Sequence, residues 1–295
     1  MIRWGFIVIL TVLLLQACEK TIQVQPDQQA PKLVVEAQIE SGQPPIVVLS
    51  HSIDYFSTID ASALNNTYVH GAKVTVSDGQ KTVTLKETAV PLSGGYYFYY
   101  YSTSQNSSLS LMYGDFGKKY DLQIETGGQV YQATTTIPQP ARKIDSLWWK
   151  PAPNNPDTTK AVLMARVTDP PGYGNYIRYF TSVNGKDFYP GQNSVFDDQI
   201  IDGTTYDIQI DKGVTRSEKL NLDEYGYFKR GDTAIVKMCN IDKASYDFWR
   251  TWEFTYQSVG NPFSTPGKVI SNIGNGGLGS FCGYVVQYKR LIIPK

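Results

Sequence analysis

Residues 72–85 constrain the fold more than any other stretch. Ala72-Lys73-Val74-Thr75-Val76-Ser77 alternates apolar and polar side chains, the period of a strand with one buried face. It runs into Asp78-Gly79, and Thr82-Val83-Thr84-Leu85 alternates on the way back. Asp-Gly between alternating segments is a strong short-range hairpin signal, because both residues tolerate positive φ. The device recurs: Tyr120–Glu125 and Val130–Thr135 flank Gly127-Gly128, and Leu33–Ile39 and Ile46–Ser50 are split by Gly42 and Pro44-Pro45. Gly94-Gly95 opens Tyr96–Tyr101, an unbroken aromatic run that sets rings on both faces of one strand. Seven or so short strands at regular spacing predict a sandwich of the immunoglobulin or fibronectin type over 32–138.

Ile137-Pro138-Gln139-Pro140 marks the boundary to a second β-rich domain over 139–295, because two prolines close together stiffen and separate. Strands are expected at 144–149, 161–167, 175–183 (turning at Asn184-Gly185), 206–210 and 233–239, with a last one over Ser280–Tyr288. Residues 190–204 read as a loop. One helix stands out. Asp242 is a natural N-cap, and 243–258 contains neither Gly nor Pro. Ala244, Phe248, Trp252 and Thr255 follow helical spacing, and Trp249 and Tyr256 widen that face, the pattern of a packing helix. The fold class expected is mostly β: two β-sandwich-like domains, the second with one aromatic α-helix.

The N-terminus is of another kind. Arg3 precedes the apolar run 6–15, followed by Leu15-Gln16-Ala17-Cys18. A charged start, a short apolar core and small residues at the cut site read as an export signal; a membrane span needs about 20 apolar residues, about twice this run. Leu-Gln-Ala-Cys resembles a bacterial lipobox. Residues 1–17 are then a lipoprotein signal peptide, Cys18 the lipidated first residue of the mature chain, and 18–31 a polar, Gln-rich tether. Lys+Arg and Asp+Glu both number 27. Such a balance gives no footing for nucleic-acid binding, which depends on neutralising phosphates, and no polybasic patch for a lipid surface.

Of three cysteines, Cys18 is taken by lipid. Cys239 and Cys282 form either a disulfide or two buried thiols, and composition does not choose between them. The segment Gly274–Gly279 lacks the Gly-Lys-Ser/Thr and following helix of a phosphate loop, so its glycines read as turns between packed strands. His51 and His70 have no metal-ligand spacing, and no Gly-x-Ser-x-Gly elbow is present. Asp197, Asp198, Asp202 and Asp207 cluster in sequence; paired carboxylates cleave glycosides, but loop aspartates more often serve turns or hold calcium. No catalytic constellation, metal centre or cofactor is expected. The ligand-binding candidates are aromatics at loops and strand ends: Tyr55, Phe56, Tyr173, Tyr176, Tyr189 and Phe196.

Several segments occur together in order: Leu33-Val34-Val35-Glu36, Gly71-Ala72-Lys73-Val74, Ile241–Tyr246 leading into the aromatic helix, Asn261-Pro262-Phe263, Ser271-Asn272-Ile273, and Gly276–Phe281 with Gly283-Tyr284. With the lipobox, they resemble a family of uncharacterised Bacteroidota outer-membrane lipoproteins. Cys282 departs from that pattern. The family brings no catalytic residues to carry over. Its members are commonly encoded beside TonB-dependent transporters, so the resemblance implies a lipid-anchored accessory on the periplasmic or outer face of the outer membrane. Such a protein binds a ligand or partner for a β-barrel transporter. The competing expectation is a structural subunit of an envelope complex, with no small ligand.

Overall fold

Alternation along Leu33–Glu40 (β1) puts Leu33, Val35, Ala37 and Ile39 into a core and leaves Glu36 outside. A computed structural model describes residues 30–53, 65–103, 111–217, 220–261, 263–264 and 267–295. The strands that follow are β2 (Ile46–His51), β3 (Lys73–Ser77), β4 (Thr82–Pro91), β5 (Tyr97–Ser102), β6 (Lys119–Thr126), β7 (Gln129–Thr136) and β8 (Lys143–Pro151). Then come β9 (Lys160–Thr168), β10 (Tyr176–Val183), β11 (Tyr189–Phe196), β12 (Thr205–Ile210), β13 (Phe228–Lys229), β14 (Thr233–Ile241), helix α1 (Lys243–Ser258) and β15 (Leu278–Ile292). The protein is mostly β, as expected.

The two glycine-marked hairpins form. Thr126 pairs with Gln129 across Gly127-Gly128, both at positive φ. Ser77 pairs with Thr82, so the Asp78-Gly79 turn is a four-residue loop; Asp78 Oδ1 closes it by accepting from the Lys81 and Gln80 N–H groups.

Eleven strands share one sheet in the order β11-β10-β14-β15-β1-β2-β5-β4-β3-β6-β7. Strands β12, β9, β13 and β8 make a second sheet. β15 is the long strand that links the regions. Its first half runs parallel to β1, from Val34 opposite Leu278 to Glu40 opposite Tyr284. Its second half runs antiparallel to β14, from Ile241 opposite Tyr284 to Thr233 opposite Ile292. The close approach to β1 needs glycine: a Cβ on Gly279 would lie 2.0 Å from the Val35 carbonyl oxygen.

Pro31–Lys295 forms one compact unit. Within it, one apolar core is built from β1–β7 with Phe281 and Val285 of β15, and a second from β8–β10, β12–β14 and Ile293. Each fully buried Leu, Ile or Phe in them contributes about 1.5–3 kcal/mol. A smaller cluster of Cys239, Ile241, Tyr246, Cys282 and Tyr284 lies beside α1. Helix α1 starts where predicted, with Asp242 Oδ1 accepting from the Ser245 N–H at 2.8 Å.

Residues 190–204 are not wholly loop. Tyr189–Phe196 is β11, the last strand of the large sheet. Pro190 and Gly191 hid it from pattern reading, but proline is tolerated on an edge strand, where a missing N–H breaks no ladder. The Cys239–Cys282 disulfide does not form: both are free, buried thiols. Cys239 sits opposite Val286 in the β14–β15 register, four residues from Cys282. Four strand residues span about 13 Å, beyond the roughly 7 Å that a disulfide bridges between Cα atoms.

Candidate functional site

β12 is an edge strand of the second sheet. Its TYDIQI sequence points Tyr206, Ile208 and Ile210 inward and exposes Thr205, Asp207 and Gln209. Between β12 and the end of β11 lies a cleft of about 610 Å³. Its floor is aliphatic: Ile144, Val167, Ile177, Val236 and Met238. Ile200, 95% exposed, and Phe196 stand at its mouth.

The polar wall comes from α1 and the end of β11. Tyr246 Oη donates to Asp197 Oδ2 at 2.9 Å, Arg250 donates to Tyr246 Oη, and Arg250 Nη1 lies 3.5 Å from Asp197. Burial raises the Tyr246 phenol, the Arg250 hydrogen bond lowers it and the Asp197 carboxylate raises it again, leaving it above its ordinary value. Tyr246 and Arg250 are one helical turn apart, which places both side chains on one face. With Asn193 and Val195 they also wall a second cavity of about 540 Å³ that reaches Glu253, Phe254 and Lys268. Glu253 is buried and occupied: its carboxylate accepts from Ser194 N–H at 2.9 Å and Ser194 Oγ at 2.5 Å, with Arg216 Nη2 at 3.3 Å. Arg178 Nε donates to the same Ser194 Oγ at 3.3 Å, and its Cζ lies over the Trp249 ring, 3.3 Å from the centroid. These are packing partners of α1.

Arg142 lines the deep end of the cleft with a fully buried side chain. Nε donates to Asp169 Oδ1 at 2.8 Å and Nη2 to the Asn175 carbonyl at 2.9 Å. Nη1 has no hydrogen-bond partner among the described residues. Tyr206 is close enough to feel the guanidinium, which offsets part of the rise that burial imposes on its phenol.

The four clustered aspartates separate. Asp207 pairs with Arg166 through two bonds of 2.7 and 3.0 Å, and Asp197 joins Arg250. Asp198 and Asp202 meet Asp169, with carboxylate oxygens within 4.8 Å of one another. These three could hold a hard cation. Each already accepts protein donors: Asp198 from the Gly174 and Asn175 N–H groups, Asp202 from Gly172, and Asp169 from Arg142. That is the turn-forming role loop aspartates usually have.

Of the aromatic candidates, Phe196 lines the cleft and stacks on Tyr179, ring centroids 6.2 Å apart. Tyr176 reaches it indirectly by stacking on Tyr246 at 4.8 Å. Tyr173, 77% exposed, and the half-buried Tyr189 lie outside the lining. Tyr55 and Phe56 lie outside the described residues, as does Cys18. Sequence reading missed Arg142, Asp169 and Arg250. The first two are far apart in sequence from the aspartates they join. Arg250 carried a usable signal, its place four residues after Tyr246 on the predicted helix.

The family described as Domain of unknown function (DUF4249) matches residues 19–290. The chain belongs to this family. The match includes every residue of the cleft and every strand except the last two residues of β15. No curated protein matches the chain. Among the described residues, no helix is long and apolar enough to cross a membrane.

Proposed function

We propose that this chain is a lipid-anchored protein of the bacterial outer membrane that captures a ligand or partner segment in the β12 cleft for a TonB-dependent β-barrel transporter. The cleft carries the reading. A concave apolar floor with a few convergent polar groups is the usual form of a binding site, and Asp197, Tyr246 and Arg250 supply those groups on a rigid helix and strand end. The lipobox at Leu15–Cys18 supports the anchor, and the Bacteroidota resemblance supports the transporter.

A second reading, a structural subunit, draws on the β4–β5 hairpin. Val90, Leu92, Tyr97 and Phe98 are all exposed there, and an exposed apolar patch marks contact surfaces.

The test is to recover the natively lipidated, tagged protein from gently solubilised outer membranes. A TonB-dependent barrel in stoichiometric amount is expected. A chain that comes alone overturns the accessory role, and a different envelope complex in stoichiometric amount establishes the structural one.

A further inference from the structure

Six consecutive residues, 206–211, line the cleft. Neighbouring residues of a strand point to opposite faces. A cavity lying on one face of β12 would therefore touch every second residue. One that touches residues of both parities in an unbroken run meets the strand along its edge.

That edge is open. β12 pairs with β9 on one side, and among the described residues no strand pairs with the other. In an antiparallel pair every second residue turns its N–H and C=O away from its neighbour, here toward the cleft. The facing strand offers no comparable edge. On β11, the Gly191 carbonyl accepts from Arg216, the Gln192 carbonyl from Gln257, and the Ser194 N–H is bound by Glu253.

We infer that the cleft receives an extended peptide segment of a partner protein, which adds to the free edge of β12 as a further strand, with apolar side chains at alternate positions and a basic one facing Asp211. This rests on the cleft being the binding site. An occupant that displaces water from this strand edge must bring donors and acceptors at strand spacing, because backbone groups that it buried unpaired would be costly. A hydrocarbon chain brings none. An extended backbone brings them in register, and its alternate side chains fall on the apolar floor. The charge follows from the rim. Asp197 has Arg250 and Asp207 has Arg166, whereas Asp211 is held by Tyr225 Oη and Gln209 Nε2, both neutral. Among the described residues no cation pairs with Asp211, and this carboxylate at the end of the run selects a Lys or Arg on the incoming strand.

The probe is a fluorescent hexapeptide of alternating Lys and Val, titrated by anisotropy into the full mature chain in detergent. It should bind, and should protect from hydrogen exchange the β12 amides that point away from β9. Methylating alternate backbone nitrogens of the peptide should weaken it at least tenfold. Asp211→Asn should weaken it several-fold and leave a Ser-Val analogue unaffected. Ile208→Trp, which narrows the cleft, should abolish binding. If that variant misfolds, the methylated peptide and Asp211→Asn still decide. No binding at millimolar peptide, equal binding of the methylated peptide, or protection by dodecanoate instead of peptide overturns the inference. The accessory role is judged separately. A barrel recovered with a chain that ignores the peptide leaves that role standing without strand addition, and peptide binding by a chain recovered alone does the reverse.

Discussion

Asp242 accepts a hydrogen bond from the Thr136 N–H at 2.8 Å, across a sequence separation of 106 residues. The same oxygen takes the Thr135 hydroxyl at 3.0 Å, while its other oxygen caps α1. One carboxylate thus starts the helix and ties it to the end of β7. Asp242→Ala should cost about 2–4 kcal/mol, combining a lost cap with lost charge-assisted bonds. Asp242→Asn, which keeps an acceptor oxygen, should cost less than half of that. Urea unfolding of both variants decides it, and equal losses would show that the backbone holds the helix start without the side chain.

The Arg142–Asp169 pair predicts a non-additive cycle. Both side chains are fully buried, so removing the cation strands a buried carboxylate beside Asp198 and Asp202. Arg142→Leu should destabilise by about 3–5 kcal/mol. Adding Asp169→Asn should return part of that loss, because the second change removes the orphaned charge. Additive losses in unfolding would mean that the pair is not coupled.

Cys239 and Cys282 are set apart by strand register, and burial pushes the Cys239 thiol up to about 12. Thiolate is the reactive form. A soluble chain beginning at Glu19 should show no reaction with Ellman's reagent when native and two thiols per chain in guanidinium. Zero thiols after denaturation would instead establish a disulfide.

Acid should loosen the N-terminal hairpins. Burial raises Glu87, but the Gly71 N–H, His70 and Tyr101 outweigh it and hold its carboxyl below the ordinary 4.5. The Lys81 N–H leads the groups that hold Asp78 below 3.8, against a smaller contribution from burial. A depressed folded pKa gives stability that is complete above the unfolded value and is lost as pH falls through the folded one. Melting temperature should therefore fall as pH drops below about 4.5. Glu87→Gln should flatten part of that fall, and a parallel curve would show that Glu87 is not linked to folding.

Local chemistry made much of the fold legible. Gly127-Gly128 can take positive φ and so set a two-residue turn, and Asp242 followed by sixteen residues without Gly or Pro set α1. Pairing between distant segments was not legible. Nothing within Leu33–Glu40 announces that it will lie beside Leu278–Tyr284, because both read as ordinary alternating strands. Gly279 belonged to a segment read as turns, although its crowding against Val35 is a demand of packing. The cleft was hidden for the same reason. Phe196 was found by residue type, but an open edge on β12 is defined by what does not pair with it.

The parallel join of β1 to β15 fixes when this protein can finish folding. The chain is made, and on the proposed reading exported, from its N-terminal side, so Leu33–Glu40 arrives long before Leu278–Tyr284. Until the last segment emerges, the first has β2 on one flank and an unguarded row of backbone groups on the other, the arrangement that invites pairing with a stranger. A message cut short before codon 278 therefore yields a sticky fragment rather than a smaller working protein.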